Sequence, residues 1–397
     1  MEYSTIGKGQ EISAEGVVYD KGSIYGRLQR LTDLRKARGK RYSLSTVMMV
    51  VLLAKLSGAN SPTEMAEWGI YHQAEIEALL GIQLKRMPER STYRRILAYK
   101  IYETEMERLV GEYNQSGERG HICALDGKAL LGMSKREDGT PEYALSVYDV
   151  TAGKTMAQVE VGSKENEITK APAVVKLAKI AGKVVTGDAL HTQKRLAQTI
   201  LDEAGNYVLP VKENQPALYK NIQSLFAPEY PKPGFGKIQT DFLTAQKVNK
   251  GHGRIEVRTI TTSEMLNAYA AWPGLAQVYR LEREIQWLRR GVCYKTSHEV
   301  EFGITSLART KIIPEQLLQI RRSHWGIETG SHYRRDVTLK EDATRFTIGQ
   351  GARVMANIHN LILALIRQMG FQNAAQARRF FAAHLSRAFS LLVTPFS

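Results

Sequence analysis

Three carboxylates far apart in the chain have types and settings that could do chemistry together: Asp126 in "HICALDGK", Asp188 in "GKVVTGDALHTQ" and Glu328 in "HWGIETG". The first two each close a short apolar run that reads as a β-strand. In an open sheet the carboxyl ends of strands border the crevice where ligands bind, so acids at two such ends can meet. Two carboxylates in one site cannot both stay ionised without a cation. A hard divalent ion such as Mg²⁺ takes oxygen ligands and removes that cost. Glu328, on a helix much later in the chain, completes a set of three. Such a set suits phosphodiester chemistry, in which two ions roughly 3.5–4 Å apart activate the nucleophile and stabilise the leaving oxygen. Asp126 would bridge the two ions, Asp188 would hold one and Glu328 the other. Each residue also has an ordinary reading. Asp188 could cap the helix that starts near Thr192, Asp126 could be a turn residue before Gly127, and Glu328 a charged helix residue.

The charge of the chain fits a polyanionic partner. Lys and Arg number 55 against 40 Asp and Glu, a net charge of +15 over 397 residues. The excess is clustered in "RLQRLTDLRKARGKR" (27–41), "RLEREIQWLRR" (280–290) and "RRSH" (321–324). That pattern points to nucleic acid. Two cysteines, Cys123 and Cys293, exclude a disulfide framework, and neither has a second cysteine nearby to build a zinc site. A reduced, cytoplasmic protein is expected. The first residues are polar and mixed in charge, without the pattern of a signal peptide. The most apolar run, "VMMVVLLA" (47–54), is too short to span a bilayer and is closed by Lys55. It reads as a core helix, and no membrane partner is expected.

These residues must be positioned by elements of two kinds. Residues 1–25 read as a flexible tail. Residues 26–117 read as a helical DNA-binding domain. In it Ser43 or Ser45 caps a first helix that stops at Gly58, and "SPTEMAEWG" carries Ser61, Pro62 and Glu64 as a capping box. The series of short helices is helix-turn-helix-like, with "RSTYRRILAYK" (90–100) as the candidate reading helix. It offers Arg90, Tyr93, Arg94 and Arg95 near its start, although a basic solvated face would look the same. From residue 118 to 226 strands and helices alternate, after an antiparallel hairpin around "TAG". Parallel crossover units beside that hairpin make an α/β fold, a mixed sheet flanked by helices. Residues 227–307 read as a β-rich insertion pairing partly with itself. Residues 308–370 form the second part of the core and carry Glu328, and 371–397 hold a basic C-terminal helix.

Other residues near the acids could serve the same substrate. Arg321 and Arg322 could clamp phosphates, and Trp325 could stack on an unpaired base or pack in the core. Lys212 and Asn214 follow the strand "NYVLPV" and could approach the scissile phosphate, or lie in a solvated loop. His191 and Gln193 could bond a metal-bound water or merely start a helix. Asp336, Glu341 and Asp342 form a second acidic cluster that could supply the third ligand instead of Glu328.

The stretches "CALDGKALLG", "GSKENEITKAP", "VVTGDALHTQKRLAQTI", "NYVLPVKENQPAL" and "RRSHWGIETGSHYRRDVTLKEDATR" together resemble the H-repeat-associated insertion-sequence transposases of the DDE type. "LTDLRKARGKRYSLSTVMMVVLLAKLSGANSPTEMAEWG" resembles the helical domain that precedes the catalytic domain in that family. The resemblance runs from about residue 27 to 370. It implies an RNase H-like catalytic core and double-stranded DNA as partner, both element ends with their terminal repeats and target. It also implies Mg²⁺-dependent cleavage and strand transfer with two ions, Mn²⁺ being a substitute, and a homodimer on paired ends at the bacterial nucleoid. The family's acids fall on Asp126, Asp188 and Glu328. The chain departs from the family pattern at Thr329, where Asn is usual, at Tyr333, where Trp is usual, and at Arg335, where the family has an apolar residue. Two rival readings share the fold: a catalytically inactive, transposase-derived DNA-binding protein, and a nuclease that hydrolyses without transferring strands.

Overall fold

The computed structural model of the protein describes residues 9–116, 120–131, 141–162, 166–227, 240–343, 346 and 348–395. Gly132, Ser163–Glu165 and Thr344–Arg345 lie outside these, as do residues 1–8 and 228–239 at the start of the β-rich segment.

The N-terminal stretch is more than a loose tail, a correction to the expectation from sequence. Strands β1 (Gln10–Ile12) and β2 (Val18–Asp20) pair antiparallel and lead into helix α1 (Ile24–Leu28). Val17, Tyr19, Ile24, Tyr25 and Leu28 are buried together in the helical core. Apolar side chains on that scale cannot be left in water at no cost, which fastens the segment.

Helix α2 (Leu44–Leu56) is the centre of that core. All of its residues are buried, as an all-round apolar helix requires. Ser43 is its cap, accepting from the Thr46 N–H. In α3 (Pro62–Tyr71) half of the expected box forms: the Ser61 hydroxyl accepts from the Glu64 N–H, while the Glu64 carboxylate accepts from the Asn60 N–H, one residue before the cap. Helices α4 (Gln73–Leu80), α5 (Arg90–Tyr99) and α6 (Glu103–Gln115) complete the N-terminal group.

A nine-stranded mixed sheet follows. Strands β3 (Ile122–Ala129), β4 (Tyr143–Asp149) and β5 (Lys154–Val161) run antiparallel. After α7 (Glu167–Ala178), β6 (Val184–Thr186) joins β3 in parallel. After α8 (Lys194–Asp202), β7 (Asn206–Val211) joins β6 in parallel. The spatial order β5-β4-β3-β6-β7 with these directions is the RNase H-like arrangement. Helix α9 (Pro216–Leu225) leads to β8 (Leu243–Gly251), β9 (Arg254–Ser263), β10 (Gln277–Arg289) and β11 (Val292–Thr305). This β-rich segment is a meander that pairs with itself and also continues the core sheet, because β11 adds antiparallel to β7.

Alternation along the strands puts different helices on the two faces. Cys123, Leu125, Tyr207 and Leu209 pack with α7 and α8. Val208 and Tyr279 face the other way, under α10 (Pro314–Ser323). Beyond it, α11 (Gly351–Gln368), α12 (Ala374–Ala383) and α13 (Leu385–Val393) bury their apolar faces in the same core as α2 to α6. Helix α6 is also stitched to β5, with Asn114 donating to the Thr155 carbonyl at 2.7 Å and Gln115 to the Met156 carbonyl at 3.1 Å.

Candidate metal centre and nucleic-acid surface

Asp126 lies inside β3 rather than at its end, which corrects the reading from sequence. The strand continues to Ala129 because it stays paired with β4, while its parallel pairing to β6 ends at Ala124–Thr186. Past that point the β6-side edge of β3 is open. Asp126 shares a face with Ala124 and Lys128, the face on which Ile327 packs against Ala124 and Tyr148. Its Oδ1 accepts from the Gly127 N–H at 2.9 Å. Burial, followed by the negative charges of Asp188 and Glu328, pushes its carboxyl up to about 7.

Glu328 opens a π-helical segment, Glu328–His332, followed by a second, Arg334–Thr338. The expected helix is therefore widened, a geometry that recurs at functional sites. Two glycines allow its close approach to the sheet. A Cβ on Gly330 would overlap the Tyr148 ring and hydroxyl, and one on Gly326 would overlap Val150. The same turn brings His332 under Glu328. His332 Nδ1 lies 3.6 Å from Asp126 Oδ2 and 3.6 Å from Glu328 Oε2. Donor atoms of Asp126, Glu328 and His332 all lie within 4.8 Å of one another.

Asp188 stands two residues past β6, outside that group of three and more exposed than Asp126. It is the residue before the short 3₁₀ turn Ala189–His191 and makes no side-chain cap bond to it, so the capping alternative does not describe it. Instead His324 Nε2 approaches its Oδ1 at 3.3 Å, and His324 Nδ1 faces the Thr186 hydroxyl at 3.2 Å. That hydrogen bond holds the Asp188 carboxyl below the usual carboxylate range.

Two neighbours of the acids carry no signal that singles them out in sequence. The Glu167 carboxylate sits directly over Gly127, where any Cβ would overlap it, and lies 3.4 Å from His191 Nε2. Lys128, two residues after Asp126 on the same face, bonds Asp336 at 2.6 Å. That ion pair accounts for Asp336. Glu341 is fully buried, bound bidentately by Arg335 and approached by His359 Nδ1 at 2.6 Å. Two members of the second acidic cluster are thus taken up by cations of the fold, which corrects the idea of Asp336 or Glu341 as the third ligand. Arg335, an oddity in the sequence, is the partner that keeps Glu341 ionised, and it also reaches Gln158 at 3.2 Å.

The residues singled out for DNA divide. Arg90, Arg94 and Arg95 are exposed and line a cavity of about 650 Å³ with Tyr99 and Ile348. Tyr93 is corrected: it points inward from the same helix and is fully buried. A second cavity of about 770 Å³ opens between β7, β10, β11 and α10, and Lys212, Arg258, Arg283, Arg322 and Trp325 are among its walls. Trp325 is 68% exposed, so core packing does not describe it. Arg321 is corrected too. Its guanidinium is held bidentately by Glu301 at 2.6 and 2.9 Å and is largely buried, so it is no free phosphate clamp. Asn214 donates to the Ala189 carbonyl at 2.7 Å, which ties the loop after β7 to the loop of Asp188. His191 is buried, and Gln193 accepts from Gln215 at 3.3 Å, as a helix-start residue would.

Comparison with known proteins adds the following. The family model described as Transposase DDE domain matches residues 125–365, and one described as DDE_Tnp_1-associated matches residues 25–113. The chain is 26% identical over 358 residues to "Putative transposase YncI" of Escherichia coli O157:H7, covering 87% of each chain. It is 22% identical over 369 residues to "H repeat-associated putative transposase YhhI" of Escherichia coli strain K12, covering 90% of this chain and 93% of that one. A piggyBac transposase synaptic complex with hairpin DNA superposes with a TM-score of 0.42 at 10% identity, over 92% of this chain and 78% of that one, too loosely to bear on the site. Among the described residues no helix is long and apolar enough to cross a membrane.

Proposed function

The chain belongs to the family of transposases with a DDE domain, and from that premise we propose that it binds the ends of a mobile DNA element, cuts them and joins them to target DNA. In this reading Asp126, Asp188 and Glu328 hold two Mg²⁺ ions, with Mn²⁺ as a substitute. The donor set fits such ions: it is rich in hard oxygens, and the carboxyl of Asp126 is driven up first by burial and then by neighbours of its own sign, a cost that a cation would remove. The ions, when bound, polarise the phosphoryl group and supply an activated oxygen nucleophile.

The protein's own groups do the rest. Asp126, on a strand buried in the sheet, is the fixed member, and the Gly127 N–H orients its Oδ1. His324 holds Asp188 ionised, as a ligand must be. Gly326 and Gly330 let the Glu328 turn settle onto β4. Lys212, Arg322 and Trp325 on one wall, with Arg90, Arg94 and Arg95 on α5, offer charge to the phosphates and a ring for a base. The nucleophiles are water and then the freed 3′-hydroxyl, so no covalent protein–DNA bond is formed. Pairing of two ends by a homodimer is part of the proposal.

The observation that best supports this reading is that donor atoms of Asp126 and Glu328 lie within 4.8 Å of one another, with the charge of Asp188 felt at Asp126, in a chain whose net charge is +15. The test is to incubate the protein with Mg²⁺ and DNA that carries the sequences flanking its own gene. Nicking and joined products are expected from the wild type. Asp126→Asn, Asp188→Asn and Glu328→Gln should each lower nicking by more than about 100-fold while DNA binding persists. Binding without nicking by the wild type would sink the reading, and nicking without joining would reduce it to a nuclease.

A further inference from the structure

We propose that His332 is a nitrogen ligand of the cation held by Asp126 and Glu328, which makes that half of the centre a mixed Asp/Glu/His site. The proposal rests on the functional reading above, since it needs a cation at these acids.

The geometry carries it. His332 follows Glu328 by four residues on the π-helical turn, and its ring is 8% exposed. Its Nδ1 faces both carboxylates at 3.6 Å, too far for a hydrogen bond to either. Its Nε2 is buried and has no hydrogen-bond partner among the described residues. A buried imidazole aimed at two acids yet bonded to neither leaves a gap, and an ion suits that gap. Donors bound to one ion at about 2.0–2.2 Å stand roughly 3–3.5 Å apart. Closing on an ion therefore asks His332 for a few tenths of an ångström toward each acid, and the two carboxylates, within 4.8 Å in the set, for a side-chain adjustment of up to about an ångström. Asp188 differs: its nearest imidazole, His324, already engages it at 3.3 Å and is braced by Thr186.

The donor type has a consequence for metal choice. Imidazole is a softer ligand than carboxylate and favours transition ions over Mg²⁺. The half-site containing His332 should therefore prefer Mn²⁺ to Mg²⁺, whereas the Asp188 side, built from oxygen, should not.

Mn²⁺ alone, titrated into the full-length protein and followed by electron paramagnetic resonance, tests this without DNA or turnover. Pulsed spectra of bound Mn²⁺ are expected to show ¹⁴N modulation. The modulation should persist in His324→Gln and vanish in His332→Gln and His332→Asn, with Mn²⁺ affinity falling about tenfold or more. Labelling histidine with ¹⁵N should change the modulation in the unaltered protein, a readout that needs no substitution to fold. If Mn²⁺ binding depends on Asp126 but shows no nitrogen coupling, or loses it only in His324→Gln, the His332 assignment is overturned while the functional reading stands. If Mn²⁺ binding is indifferent to Asp126→Asn, the functional reading fails and takes this inference with it.

Discussion

At the scale of single residues, direction within an element decides what each side chain can do. Arg94 and Tyr93 are adjacent on α5, yet one meets water and the other fills the core. Arg94→Ala and Arg95→Ala should each weaken DNA binding uniformly across sequences and lower the slope of log affinity against log salt by about one. Tyr93→Phe should leave affinity and slope unchanged. Filter binding at a series of salt concentrations reads both, and a Tyr93→Phe defect with normal thermal stability would overturn its assignment to the core. Asp126 and Asp188 stood out in the sequence because each follows an apolar run in a basic chain; that β3 runs on past Asp126 to Ala129 could not be seen, because its pairing with β4 is what extends it. Tyr93 was misread because a tyrosine among three arginines does not reveal which side faces inward until the apolar positions Ile96 and Leu97 set the phase of the helix. Arg321 was misread for another reason: Glu301, which holds it, is twenty residues away on β11, outside the helix of Arg321.

At the scale of elements, the site depends on how the turn from Glu328 onward is laid against β3 and β4. Gly330→Ala should destabilise the protein by about 1–3 kcal/mol, since the added methyl collides with Tyr148 and the turn cannot withdraw without moving Glu328. Nicking should fall with it, and Tyr148→Phe, which removes the hydroxyl, should restore part of the loss in a melting experiment. The Lys128–Asp336 pair fastens the same two elements beside the acids. A double-mutant cycle with Lys128→Met and Asp336→Asn, measured by urea unfolding, should give a coupling of about 1–3 kcal/mol. Strict additivity would show that the pair does not clamp them. Sequence patterning found the strands and helices of the core but not the π-helical widening, which comes from fitting two glycines onto a strand rather than from any local preference. It also read the β-rich segment as pairing partly with itself, as β8 to β11 do, but nothing in β11 announces that it pairs with β7 as well.

At the scale of the whole molecule, the helical core encloses a charged group as well as apolar side chains. Lys55 in α2 is fully buried, its ammonium has no hydrogen-bond partner among the described residues, and burial lowers it from the ordinary lysine range to about 7. The unfolded chain therefore holds the proton more tightly. Stability should rise as pH increases from about 7 towards 10.5 and stay flat, at its lower level, below 7. Lys55→Met should remove that slope and raise stability at pH 7 by on the order of a few kcal/mol. Urea midpoints across that range check it, and an unchanged slope would mean that the ammonium finds water. Helices α11 to α13 lie in one interior with α2 to α6, although more than two hundred residues separate them in the chain. A shortened product begun downstream of α6 would leave the apolar side of α11 without a cover. Such a product should precipitate or be degraded instead of accumulating as a second, shorter form of the protein.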